Sequence, residues 1–172
     1  CGASACIRDN AGTAGDVELG RYEDAGGHLI RSEAIDCPVG SADAKCPGSS
    51  RAGHGGYTFG DMGKVFSRGP EVHADGEIWG QTLWDLRTRL IADLGGGDGR
   101  DRARELITQA MAIAPSDPSF LDVRNAIIQV DVANHAGAEV PAIWDVFAHR
   151  GMGWLAATTS AADVHPVQDF SR

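Results

Sequence analysis

The sequence is poor in basic residues and in long apolar runs. Its 172 residues include 15 Lys and Arg against 24 Asp and Glu, which gives a net charge of −9. Binding to phosphate backbones needs a surplus of cations, so this balance excludes nucleic acid as the main partner. No apolar run approaches the ~18 residues of a membrane-spanning helix, and we therefore expect no membrane partner.

Self-contained catalytic motifs are also missing. The six histidines never occur as HExxH, the spacing that places two imidazoles on one helical face to hold zinc. No serine lies in a G-x-S-x-G elbow, and no cysteine lies in a cysteine-protease signature. From its motifs alone, the chain fits a non-catalytic helical module that binds peptides or proteins as well as it fits an enzyme.

Glycine is distributed unevenly along the chain. Residues 1–76 hold 15 of the 23 glycines and all four cysteines, whereas the remainder holds all four tryptophans and the long periodic runs. This contrast predicts loops and turns in front and helices behind. We divide the chain into an irregular segment at 1–63, a helical lobe at 64–157 and a loose tail at 158–172.

The four cysteines permit three disulfide pairings. Their local spacing favours two short loops, Cys1–Cys6 and Cys37–Cys46. A zinc site is less favoured, because zinc-binding cysteines usually lie two to four residues apart, whereas four and eight residues intervene here. Lipidation of Cys1 is a further alternative. Disulfides imply a secreted protein. With no visible signal peptide and no initial Met, we interpret the chain as a processed form or a fragment.

Four amphipathic helices are predicted from apolar residues that recur every three or four positions. For the first helix, Asp75 is the expected N-cap, and Gly95–Gly99 is expected to form a flexible turn after it. The turn follows a helix rather than a strand, which disfavours a phosphate loop. For the third helix we expect Asp117 to be the cap and Pro118 the first helical residue. The four predicted helices, which together make a mainly α bundle, cover about 77–94, 100–114, 118–134 and 141–151.

One histidine stands out by its local context. His73 follows a turn at Gly69-Pro70 and falls just before the first predicted helix. From that position its imidazole can project into a cleft and donate a hydrogen bond to a developing oxyanion. The alternative interpretation of the local sequence is an ordinary surface or capping histidine.

The segment around His73 also carries a family resemblance. VHADGEIW at 72–79 resembles the fungalysin family of zinc metallopeptidases, and further matching motifs follow in the family's order over about residues 57–157. These motifs are LWDL at 83–86, PSDPSF at 115–120, RNAI at 124–127 with Asp131, and IWDVFAHRGMG at 143–153.

The resemblance implies the helical C-terminal lobe of a thermolysin-like peptidase. In such enzymes zinc is held by the two histidines of HExxH and a downstream glutamate, typically within GEGWSD, and the glutamate of HExxH is the general base. A histidine of the C-terminal lobe hydrogen-bonds the tetrahedral oxyanion, and His73 matches it. An arginine in a G-[IL]-R type segment contacts the substrate backbone. Leu29-Ile30-Arg31-Ser32 is similar, so Arg31 is the candidate, with an ordinary salt-bridged arginine as the alternative.

The sequence departs from the family pattern at two points. Both HExxH and GEGWSD are absent, so no zinc ligand and no general base carries over to this chain. In thermolysin-like relatives an acid five residues before the oxyanion histidine orients it. Arg68 stands at that position here, which leaves Glu71 and Asp75 as possible substitutes.

The resemblance therefore implies the C-terminal part of a secreted, extracellular fungalysin-type zinc metalloendopeptidase. This part supplies His73 and a surface for a peptide or protein substrate, and its partner is the N-terminal lobe of the same peptidase. Zinc is the expected cofactor of the complete enzyme, and the isolated chain is expected to be inactive. Calcium is a second candidate ion, although the acids near Gly95–Gly99 do not have EF-hand spacing. The alternative function remains the non-catalytic binding module.

Overall fold

A computed structural model describes residues 14–19 and 31–172 of the chain. Within these ranges it contains four α-helices and one short 3-10 helix, Phe59–Asp61, and no β-strand beyond isolated bridges. The prediction of a mainly α fold is confirmed. The helices are α1 (Val72–Leu94), α2 (Gly96–Ile113), α3 (Phe120–His135) and α4 (Val140–His149).

The chain divides into two compact units. The described part of the first unit comprises residues 14–19, 31–57 and 63–81, and the second unit comprises 58–62 and 82–172. Residues of α1 up to Gln81 belong to the first unit, and those from Thr82 onward belong to the second.

A disulfide closes a short loop in the first unit. Cys37 and Cys46 are bonded, as their spacing predicts, and both are fully buried. Cys1 and Cys6, the other predicted pair, lie outside the described residues. The segment before the disulfide is held to the same loop, because Asp36 accepts hydrogen bonds from the main-chain nitrogens of Val17 at 2.9 Å and Asp16 at 3.2 Å.

The second unit has a helical core. Helix α3 packs against both α2 and α4. The inward residues are large aliphatic or aromatic side chains with no solvent exposure, and each belongs to a predicted apolar stripe. They are Leu86 and Leu90 of α1, Leu106 of α2, Ile127 of α3, and Ile143 and Phe147 of α4.

The predicted starts of α1, α2 and α3 are wrong. Helix α1 begins at Val72 rather than at 77, so Asp75 lies in its first turn and is not the cap. Glu71 takes the capping position because its carbonyl oxygen accepts the first helical bond, from the Asp75 nitrogen at 2.8 Å. Helix α3 is capped by Ser119, which exchanges hydrogen bonds with Asp122 in a capping box. Asp117, the predicted cap, instead has a left-handed backbone with φ of 57°.

The predicted glycine turn is mostly helical. Only Gly95, with φ of 89°, separates α1 from α2, which begins at Gly96. A Cβ at Gly99 would overlap the Leu90 carbonyl oxygen and the Ile91 backbone, so α1 and α2 approach too closely here for any side chain. Glycine therefore lets the two helices join through one residue.

The C-terminal residues are not the loose tail that we predicted. Their main chain returns to the residues after α4, with Gly153 donating to the Asp169 carbonyl at 2.7 Å and Asp169 donating to the Gly151 carbonyl at 2.8 Å. Ala157 and Val167 exchange a further pair of hydrogen bonds at 2.9 and 2.8 Å.

We expect removal of the disulfide to destabilise the first unit. The bond closes a ten-residue ring, for which loss of unfolded-state entropy gives about 2.5–3 kcal/mol of stabilisation. The double variant Cys37→Ala/Cys46→Ala should lower the free energy of unfolding by that amount in urea denaturation. A loss below about 1 kcal/mol would contradict this account of the loop.

Candidate functional site

His73 lies in the first turn of α1, one residue after its start. The side chain is 75% exposed, and its Nδ1 lies 2.7 Å from Oε1 of Glu71. We predicted this histidine just ahead of the helix, and the earlier helix start places it inside instead. With Nδ1 bonded to a carboxylate, Nε2 is the ring nitrogen left to meet a ligand.

Glu71 performs two tasks with one carboxylate. Besides bonding the His73 ring, it accepts hydrogen bonds from the main-chain nitrogens of His73 at 3.1 Å and Ala74 at 2.8 Å. These are nitrogens in the first turn of α1 that have no partner within the helix. The hydrogen bond from the His73 side chain, followed by those from the two main-chain nitrogens, lowers the pKa of Glu71 to about 2.

Neither Arg68 nor Asp75, the other two residues named for the orienting position, has a hydrogen bond or ion pair with the His73 ring in the structure. Arg68, at the position five residues before the histidine, is exposed. Asp75 is buried and accepts a hydrogen bond from the Gly63 nitrogen at 2.9 Å. Burial raises the pKa of Asp75. Of the two substitutes named from the sequence, the structure pairs Glu71 with the histidine.

Arg31 lines a cavity of about 180 Å³ beside α1. His73 does not line this cavity, but it lies one helical turn before Gly76 and Glu77, which do. The structure thus brings the face of α1 that carries His73 next to the cavity that Arg31 borders. The remaining lining residues come from the loops and from the following turns of α1: Leu19, Glu33, Ile35, Gly80 and Gln81.

Two residues of this site escaped the sequence reasoning, although their spacing is regular. Glu77 and Gln81 follow His73 at intervals of four, which places all three on one face of a helix. Both are buried, with 8% and 1% exposure. Glu77 accepts hydrogen bonds from Ser32, and Gln81 accepts one from the Tyr57 nitrogen at 2.8 Å. Polar residues at that spacing after the candidate histidine were the available signal.

The described residues do not fit a resident metal. Over 14–19 and 31–172, no group of three His, Cys, Asp or Glu side chains is placed to hold an ion. Zinc chemistry therefore cannot be derived from these residues, and nothing in them indicates a calcium site. None of the helices in these described residues is both long and apolar enough to cross a membrane.

Comparison with known proteins decides the family. The model of the fungalysin metallopeptidase (M36) family matches residues 49–156, well over half of the chain. The chain belongs to the fungalysin family. The resemblance drawn from the sequence is confirmed, and His73 lies within the matched region. Arg31 and the Cys37–Cys46 disulfide precede it.

Curated fungalysin relatives are named as extracellular enzymes. The chain is 34% identical to Extracellular metalloproteinase 2 of Arthroderma otae over 110 residues, which are 56% of this chain and 17% of that protein. It is 36% identical over 97 residues to Extracellular metalloproteinase 3 of Arthroderma otae and of Trichophyton tonsurans, covering 49% of this chain and 15% of each relative. The chain therefore spans about a sixth of the length of the relatives it matches.

We expect the pKa of the Glu71 carboxyl group to lie far below that of an ordinary glutamate. Its pKa should be about 2 instead of 4.5, because the ionised form alone accepts all the hydrogen bonds described above. Since the folded value lies below the unfolded one, ionised Glu71 stabilises the fold above pH 4.5, and this contribution is lost as the pH falls toward 2. Carbon-detected NMR of the Glu71 carboxyl group measures this midpoint.

The His73→Ala variant serves as the control for that titration. Removing the imidazole takes away the largest cause of the shift, so the midpoint of Glu71 should move up toward 4.5. A midpoint close to 4.5 in the unaltered chain would disprove the pairing of Glu71 with His73.

Proposed function

We propose that this fungalysin chain supplies the oxyanion-stabilising histidine and part of the substrate surface of an extracellular zinc metalloendopeptidase. The observation that carries the proposal is the exposed His73 imidazole, held through Nδ1 by Glu71 at the start of α1. Family membership and the names of the relatives support hydrolysis of peptide bonds outside the cell.

The chemistry assigned to His73 is donation of a hydrogen bond. When a peptide carbonyl is attacked, negative charge develops on its oxygen, and an N–H group aimed at that oxygen stabilises the transition state. In the protonated imidazole of His73, Nδ1–H is directed to Glu71, which leaves Nε2–H for the substrate.

The role assigned to Arg31 is binding of the substrate main chain. A guanidinium group presents five donors and suits peptide carbonyl oxygens. Arg31 borders the cavity beside α1, and the first turn of that helix carries His73 on the same face. A peptide whose reacting carbonyl lies at His73 has its neighbouring residues within the reach of a side chain at this cavity.

The zinc ligands and the general base are assigned to a different segment. HExxH does not occur in this sequence, so the proposed partner is a fungalysin N-terminal lobe that carries it. We therefore expect the chain by itself to bind no stoichiometric zinc and to cleave no peptide. Elemental analysis after dialysis and a peptide-hydrolysis assay check this directly. Zinc together with proteolysis in the isolated chain would overturn the division of labour.

Removal of the His73 imidazole should slow catalysis strongly. In the zinc enzyme completed with the HExxH lobe, His73→Ala should lower kcat by about 10²–10³ while the zinc content is unchanged, because a single oxyanion donor is lost. The matched control is His54→Ala, which removes an exposed histidine from a loop of the same unit. Equal turnover in the His73 and His54 variants would reject the assignment.

A further inference from the structure

The face of α1 that carries His73 continues into two buried polar residues. His73, Glu77 and Gln81 succeed one another at every fourth position and so form a single row along the helix. The first of them is exposed, whereas the other two are buried. The buried pair faces the irregular segment that contains Arg31.

Glu77 binds that segment with its whole carboxylate, which accepts hydrogen bonds from Ser32 and from the main-chain nitrogen of Glu33. Both of its oxygens accept from the Ser32 main-chain nitrogen, at 2.9 and 3.1 Å, and Oε2 also accepts from the Ser32 hydroxyl at 2.8 Å. The Ser32 hydroxyl in turn lies 2.6 Å from the hydroxyl of Tyr57, which is fully buried. Ser32 is thus fixed through both its main chain and its side chain.

Gln81 holds the same segment one turn further along α1. Its amide nitrogen donates to Glu33 Oε1 at 2.6 Å and to the Ala34 carbonyl at 3.3 Å. The segment from Ser32 to Ala34 therefore runs along the helix, anchored at two successive turns. Arg31 immediately precedes this anchored stretch.

The charge of the Glu77 carboxylate is not needed merely to pack the irregular segment against α1. At the next turn the neutral amide of Gln81 serves as an anchor, so a charge is not needed to hold the segment. Burial raises the pKa of Glu77, because the ionised carboxylate loses hydration there. What the carboxylate adds is a second acceptor oxygen for the main-chain hydrogen bonds from Ser32 and Glu33, and a negative charge opposite Arg31, which borders the same cavity.

We propose that Glu77 is a positioning residue, whose carboxylate fixes Ser32 on α1 and thereby sets where the Arg31 guanidinium lies relative to the His73 imidazole. The inference rests on the proposed function, in which Arg31 binds substrate and His73 stabilises the oxyanion. It makes one helix the common support of both groups, with the carboxylate four positions after the histidine.

The kinetic test is a double-mutant cycle in the completed zinc enzyme. Glu77→Gln retains the size and burial of the side chain but removes its charge and one acceptor oxygen. It should raise KM about tenfold with kcat within about twofold, because binding is weakened equally in ground and transition states. Arg31→Ala should raise KM as well, and Glu77→Gln/Arg31→Ala should be no worse than Arg31→Ala alone. Asp93→Asn, which makes the same change of charge elsewhere on α1, should leave both constants unchanged.

If the increases in KM caused by the two single substitutions multiply in the double variant, Glu77 acts independently of Arg31 and the inference is overturned. An equal fall in kcat and kcat/KM in Glu77→Gln would also overturn it. If Arg31→Ala leaves KM unchanged, the role of Arg31 in the proposed function fails instead. These outcomes separate the two claims.

A second measurement uses the chain alone and needs no activity. Hydrogen exchange measured by NMR should show that the Ser32 amide exchanges slowly. In the NMR spectrum, the Arg31 Nε–H group should give a single signal with a shifted resonance. In Glu77→Gln the Ser32 protection should fall and the Arg31 signal should move, with no change in Asp93→Asn. Unaltered Ser32 protection in Glu77→Gln would overturn the positioning role whatever KM does.

Discussion

The first unit depends on side-chain acceptors for its buried main chain. Its described residues contain no strand, so no ladder is available to pair the buried N–H groups, which must nonetheless be bonded. Carboxylates take this role. Asp36 accepts from Val17, and Glu33 accepts from Gly48 at 2.9 Å. On α1, Asp75 accepts from the Gly63 nitrogen and Glu77 from the Ser32 nitrogen. Some of the excess acidic residues in this sequence therefore serve to hold the inside of the first unit together.

The second unit solves the same problem differently. Its helices form hydrogen bonds within their own main chains. Main-chain groups that still require a partner lie at the helix ends and in the segment after α4. Here buried arginines donate. Arg124 gives hydrogen bonds to the carbonyls of Met152 at 2.8 Å and Gly153 at 2.9 Å, and it lies over the Trp144 ring at 4.7 Å. Arg150, fully buried, pairs with Asp85 at 2.7 Å.

Local patterns in the sequence predict the helices but not all of their ends, and they predict only part of the candidate site. An apolar stripe such as Leu86 and Leu90 is a local signal, and the helix forms as predicted. Glutamate is not among the preferred N-cap residues, whereas aspartate is, so local preference points to Asp75 and not to Glu71 as the start of α1. The choice between those acids as the partner of His73 also depended on the true start. The contact between Ser32 and Glu77 joins residues 45 positions apart, and no local pattern encodes such a pairing.

The Glu71 carboxylate caps α1 and also holds the His73 ring, so the two tasks share one set of oxygen atoms. A substitution that frees the imidazole also loosens the beginning of the helix, and one that improves the cap at the expense of the ring bond misdirects the histidine. Under the role proposed for His73, one side chain at position 71 therefore constrains both the start of α1 and the orientation of the imidazole.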